Sequence, residues 1–176
     1  MRTANGDLWE FSLTLYAEPG VAASCLSLQN QHGFDVNLVL FCIWYGFRYG
    51  DLTDDLLSNA LNLSKCWREA VTQPLRSLRD RLTPNRNESV FSSGLEISAL
   101  RERIKSAELD AERIQQQELE RLILPTVTDG VDIVRGETPA RRNLGSLAAT
   151  LGERNDVAIT EHFEALLLKV HCPKNK

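Results

Sequence analysis

The sequence predicts an all-α fold, a compact single-domain multi-helix bundle with one long helix near residues 95–124. Apolar residues recur at three- and four-residue spacing through most of the chain, and no segment alternates at period two for long enough to make a sheet. With 176 residues the chain can bury roughly two thirds of its unfolded surface, enough for stability without disulfides or metal.

Asp7 followed by Glu10 is a capping-box arrangement, and Leu8, Phe11 and Leu15, with Trp9, Leu13 and Tyr16, continue a first helix to Pro19-Gly20. Val21, Cys25 and Leu28 carry a second helix to His32-Gly33, where glycine is a good C-terminal stop. In the stretch FDVNLVLFCIWYG, Asp35 stands where an N-cap belongs, with Phe34 and Val39 at the two positions of a hydrophobic staple. From Leu38 to Phe47 this third helix is apolar on nearly every face, the mark of a helix surrounded by others. Its apolar run is about a dozen residues, whereas a membrane span needs about 20. The opening MRTANGDLWEF also has no apolar stretch of secretory type.

Thr53 or Asp54 can cap a helix carrying Leu56, Leu57, Ala60 and Leu61. A further pattern, with Leu63, Trp67, Val71, Leu75, Leu78 and Leu82, runs to Pro84, and Pro74 predicts a kink or break within it. Residues 84–94 read as a polar loop, after which Ser93 and Glu96 form another capping box. The long helix comes next, with Ile97, Leu100, Ile104, Ala107, Ala111 and Ile114 as its stripe and a slip at Gln115-Gln116-Gln117. It is expected to pack on the rest of the domain or on a second copy. Residues 125–143 read as an exposed connection, Leu144–Leu151 and Asp156–Val170 as two short helices, and residues 1–6 and 173–176 as flexible ends.

Composition narrows function. A net charge of −4 excludes a chain-wide basic surface for nucleic acid, and no DNA-binding motif is present. The four cysteines, Cys25, Cys42, Cys66 and Cys172, form no CxxC pair and read as reduced thiols suited to the cytoplasm. His32, His162 and His171 form no metal-ligand pair, and GxSxG, P-loop and GxGxxG signatures are absent, so no metal, cofactor or catalytic residue is predicted. Asp51 and Asp55, four apart, resemble the spacing of carboxylates in a metal-diphosphate site, with Glu108, Asp110 and Glu112 as the nearest second cluster. Against this, Gly50 suggests a turn at Asp51, and Lys105 and Arg113 offset the second cluster.

Charge is unevenly distributed. Residues 1–62 carry seven acids against two bases, whereas residues 63–86 carry six bases against two acids. Within that basic edge, Arg76, Arg79 and the nearby Arg86 can grip phosphate or a partner's carboxylates, or simply form a solvated face. Asn37, one turn into an apolar helix, needs hydrogen-bond partners and is either a structural amide or a pocket wall.

The W-x-F-x(4)-Y opening at Trp9, Phe11 and Tyr16, the proline-glycine stop, the Cys-Leu-x-Leu-Gln run, the Asp-Val-Asn triplet and Trp44 resemble a family of small proteobacterial proteins, domain of unknown function 2390. The PLRSLRDRL and ELDAERIQQQ segments fit it too. The resemblance implies a bacterial, cytoplasmic, all-helical protein and no assigned activity. It directs attention to Gln29, Asp35, Asn37, Arg76 and Arg79, polar residues in or beside apolar helices, which with Trp44 are the candidate binding residues. Three readings are open: a non-enzymatic regulatory protein with a protein or nucleoprotein partner; a small-molecule enzyme or binder with a cleft near Asp35, Asn37 and Arg76, isoprenoid-diphosphate-like in its sharpest form; and RNA binding through the basic edge.

Overall fold

A computed structural model describes residues 7–83, 94–123, 134–153 and 156–170. The expectations for the two ends, for Ser93, Arg86, His171 and Cys172, and for most of residues 84–94 and 125–133 lie outside them. The described residues are helical, with no strand: α1 (Leu8–Tyr16), α2 (Val21–His32), α3 (Val36–Arg48), α4 (Asp54–Trp67), a π-helical turn (Arg68–Thr72), α5 (Gln73–Arg81), α6 (Leu95–Arg121), α7 (Glu137–Thr150) and α8 (Val157–Leu167).

The capping chemistry acts locally as the sequence dictates. Asp7 accepts the Glu10 amide, Asp35 accepts those of Asn37 and Leu38, and Thr53 accepts that of Leu56. Gly33 ends α2 at φ +70°, a conformation that costs a glycine little. The amide of Leu8 also donates to the Glu120 carboxylate, tying the start of α1 to the far end of α6.

Helix α3 is the centre, with every residue from Asn37 to Gly46 buried. Each large apolar side chain so enclosed is worth about 1.5–3 kcal/mol of hydrophobic stabilisation. Its closest neighbour is α7. A Cβ on Gly46 would lie 2.4 Å from the backbone of Ala140, so only glycine permits this approach. The Gly136 amide donates to the Gly46 carbonyl at 2.9 Å. Asn143 joins the end of α3 to the segment that leads into α4, donating to the Cys42 and Gly50 carbonyls and accepting the Leu52 amide. On the other flank α8 packs on α2, and Phe163 meets Phe34 edge to face at 5.5 Å.

The expectations for residues 137–143 and for the buried face of α6 are corrected. Residues 137–143 are not an exposed connection but the first half of α7, with Pro139, Ala140 and Asn143 buried. Proline in a first helical turn forfeits no hydrogen bond, so Pro139 helps start the helix. The interruption expected at Pro74 takes the form of a π turn just before it, with the Gln73 amide reaching the Arg68 carbonyl, so that Pro74 falls at the start of α5. The buried face of α6 is Ile104, Glu108, Ala111, Gln115, Gln116 and Leu119, while Leu100 and Ile114 of the predicted stripe are exposed. The α6 N-cap is Gly94, which offers no side-chain bond.

Candidate functional site

The turn between α2 and α3 places Asp35 and Asn37 opposite the middle of α6. Asp35 Oδ1 accepts the Asn37 and Leu38 amides at 2.9 and 3.4 Å, and Oδ2 accepts Gln115 Nε2 at 2.7 Å. Gln115 Oε1 accepts Asn37 Nδ2 at 2.8 Å, and Asn37 Oδ1 accepts Gln116 Nε2 at 2.8 Å. Ser12 Oγ ends the chain within reach of Gln116 Oε1 (3.1 Å) and the Leu8 carbonyl (2.7 Å), its single hydrogen divided between them. A carboxylate only accepts, so the amide nitrogen of Gln115 must face Asp35, and every later amide is oriented in turn. Asp35 thus fixes the direction of a polar relay running through an apolar interior.

This relay floors a cavity of about 760 Å³. Gln29, Asp35, Asn37 and Arg76 all line it, together with Arg68, Thr72, Gln73 and Glu112, and with apolar walls that include Trp9, Leu13, Phe34 and Leu109. The fold therefore brings four of the six sequence-selected residues to one place. Trp44 is not among the lining residues; two helical turns further along α3, its ring lies 5.6 Å from that of Tyr49 and 5.8 Å from the Arg48 guanidinium. Arg79 is also outside, because one turn beyond Arg76 it is bound to Glu108 at 2.5 Å.

Burial pushes the Asp35 carboxyl above its ordinary range, while the bonds from Gln115, Leu38 and Asn37 and the charge of Arg68 pull it back. Arg76 holds Glu112 at 2.9 Å. Glu108, 8 % exposed, is raised by burial, with Arg79 and Arg76 opposing. Its Oε1 has no hydrogen bond within the described residues. Burial likewise raises the Cys25 and Cys42 thiols, which stay protonated and unreactive.

Three of the carboxylates considered for a metal-diphosphate site are engaged by arginines. Asp51 is held bidentately by Arg142 at 2.7 and 2.8 Å, and Glu108 and Glu112 are paired with arginines. Among the described residues no group of His, Cys, Asp or Glu is arranged to hold a metal, and no helix is long and apolar enough to cross a membrane.

Ser12, Arg68, Gln115 and Gln116 are site residues that sequence reasoning missed. For the two glutamines a signal was present: the glutamine run at 115–117 interrupts an apolar stripe, which marks either a change of face or a buried polar contact, and the structure contains the second.

The family described as protein of unknown function (DUF2390) matches residues 7–119. The chain belongs to that family. The DUF2390 match runs from the N-cap of α1 almost to the end of α6, so every cavity-lining residue, from Trp9 to Gln116, falls within it, whereas α7 and α8 lie beyond. No curated protein and no solved structure matches the chain.

Proposed function

We propose that this DUF2390 protein is a non-enzymatic binding protein whose site is the cavity between α1, α2, α3, the π turn, α5 and α6. The observation that carries this reading is the polar relay beneath a recess of mixed polar and apolar walls: large enough for a small organic molecule, with convergent polar groups to orient it. The lining supplies hydrogen bonds and ion pairs rather than a nucleophile beside a base, which favours recognition over catalysis. A regulatory role in a bacterial cytoplasm belongs to the same proposal, and the buried protonated thiols of Cys25 and Cys42 suit a reducing compartment.

The basic edge offers less to a nucleoprotein or RNA partner than its composition suggests. Arg76 and Arg79 are engaged by Glu112 and Glu108 within the chain, so phosphate contact there would have to displace these carboxylates. A protein partner or second copy has support of another kind: Leu13 and Leu109, which line the cavity, are each 53 % exposed and would be covered by a molecule seated across the opening.

The test is a thermal-shift screen of the full chain against a bacterial metabolite collection, in parallel with Leu109→Trp, which fills the opening from an exposed position. Compounds that raise the Tm of the native protein and not of the variant support the cavity as the site. Stabilisation that is equal in both proteins, or absent, removes the reading.

A further inference from the structure

The chemistry of the cavity wall specifies the ligand class, an inference that rests on the cavity being the binding site. Six carboxamides line it: Gln29, Asn30, Asn37, Gln73, Gln115 and Gln116. Its formal charge balances, Asp35 and Glu112 against Arg68 and Arg76, and the Arg76–Glu112 pair is closed at 2.9 Å. An anionic ligand would be brought up against two carboxylates, and a cationic one against two guanidinium groups.

The relay has a definite remainder. Gln115 Nε2, Asn37 Nδ2 and Gln116 Nε2 each carry two hydrogens, and each donates one within the relay. The second hydrogen on each nitrogen has no acceptor among the described residues. Asp35 Oδ2 accepts only from Gln115 and keeps lone-pair capacity beside these donors. Enclosed N–H groups require acceptors more strictly than a carbonyl oxygen requires a second donor. The floor therefore asks for a carbonyl oxygen, and next to it offers a carboxylate able to take an N–H.

We propose that the cavity recognises a small neutral amide, a carboxamide head on an apolar body, with its carbonyl accepting from the free amide hydrogens of the Asn37–Gln115–Gln116 relay, at most two at a time, its N–H directed to Asp35 Oδ2, and its body against Trp9, Phe34 and Leu109. A carboxylate satisfies the donors but meets Asp35; an ammonium satisfies Asp35 but leaves the amide hydrogens unpaired.

The test uses phenylacetamide, phenylacetate and phenethylamine, which share a benzyl body and differ in the head, titrated at neutral pH into the full chain. Side-chain amide signals of Asn37, Gln115 and Gln116 are followed in nitrogen–proton correlation spectra, with Leu109→Trp as the blocked control. The expected result is that phenylacetamide shifts these signals with affinity about tenfold above the other two, the factor a single well-placed hydrogen bond supplies, and that the variant loses the effect. Tightest binding by the acid or the amine, still blocked in the variant, overturns the amide assignment and leaves the cavity as a binding site. No shift from any of the three also overturns the assignment; the cavity reading falls with it only if Leu109→Trp changes no stabilisation in the metabolite screen.

Discussion

Asn37 makes both of its side-chain relay bonds to α6, donating to Gln115 and accepting from Gln116. Truncating it orphans a donor and an acceptor on two almost fully buried side chains, Gln116 and Gln115. Asn37→Ala is therefore expected to cost about 1–3 kcal/mol in denaturant unfolding, well above an ordinary surface change. A loss under about 0.5 kcal/mol, the range usual at the surface, would mean that water replaces the amide without penalty. The need of Asn37 for partners was legible in the sequence, since an amide one turn into an apolar helix has no solvent to bond. The identity of those partners was not, because Gln115 and Gln116 lie 78 and 79 positions away and look in sequence like a defect in a stripe.

Close approach of whole elements depends on single positions. Gly46→Ala would drive a Cβ into the Ala140 backbone at 2.4 Å, forcing α3 and α7 apart. The expected loss is about 3 kcal/mol or more by chemical denaturation, at or beyond the upper end of ordinary overpacking. Because the clash is with backbone N and Cα as well as Cβ, adding Ala140→Gly should restore little; full rescue would refute the backbone contact. The α5–α6 hairpin makes a different prediction. Arg79→Ala strands the enclosed Glu108 carboxylate and should cost about 2–3 kcal/mol, whereas adding Glu108→Gln removes the buried charge and should recover part of the loss, both measured by the urea midpoint. Helix caps and stops were legible in the sequence at Asp7, Gly33, Asp35 and Thr53, since they involve groups within a few residues of each other. The first half of α7 was not, because Pro139 reads as a breaker until its first-turn position is known.

For the molecule as a whole, three carboxyls, Asp35, Glu108 and Glu120, are raised by burial, while Glu164 is lowered by the bond from Arg141. A carboxyl whose folded pKa exceeds its unfolded value binds its proton more tightly when folded. Its stability penalty is complete above the folded pKa, and it is relieved as pH falls toward the ordinary values of 3.8 for Asp and 4.5 for Glu. Glu164 acts in the opposite sense below its ordinary range, but it is solvent-facing and its weight is small. Stability should therefore rise as pH is lowered from neutrality toward those ordinary values, read as Tm. Asp35→Asn, which retains a competent N-cap but turns an amide nitrogen toward Gln115 and so requires the relay to reverse, should flatten that slope. An unchanged slope would show that Asp35 does not titrate in this window. By itself the sequence determined the all-α class, the capped starts of α1, α3 and α4 and the central place of α3, because periodicity, capping and the cost of burying polar groups act locally. Only the tertiary structure decided that Arg79 and Trp44 stand outside the cavity while Gln29, Asp35, Asn37 and Arg76 line it, that Arg76 and Arg79 pair with α6, and that Gln115 and Gln116 face Asn37. Those outcomes depend on which face each helix turns to a distant neighbour, and burial and pairing across the whole chain set that rotation.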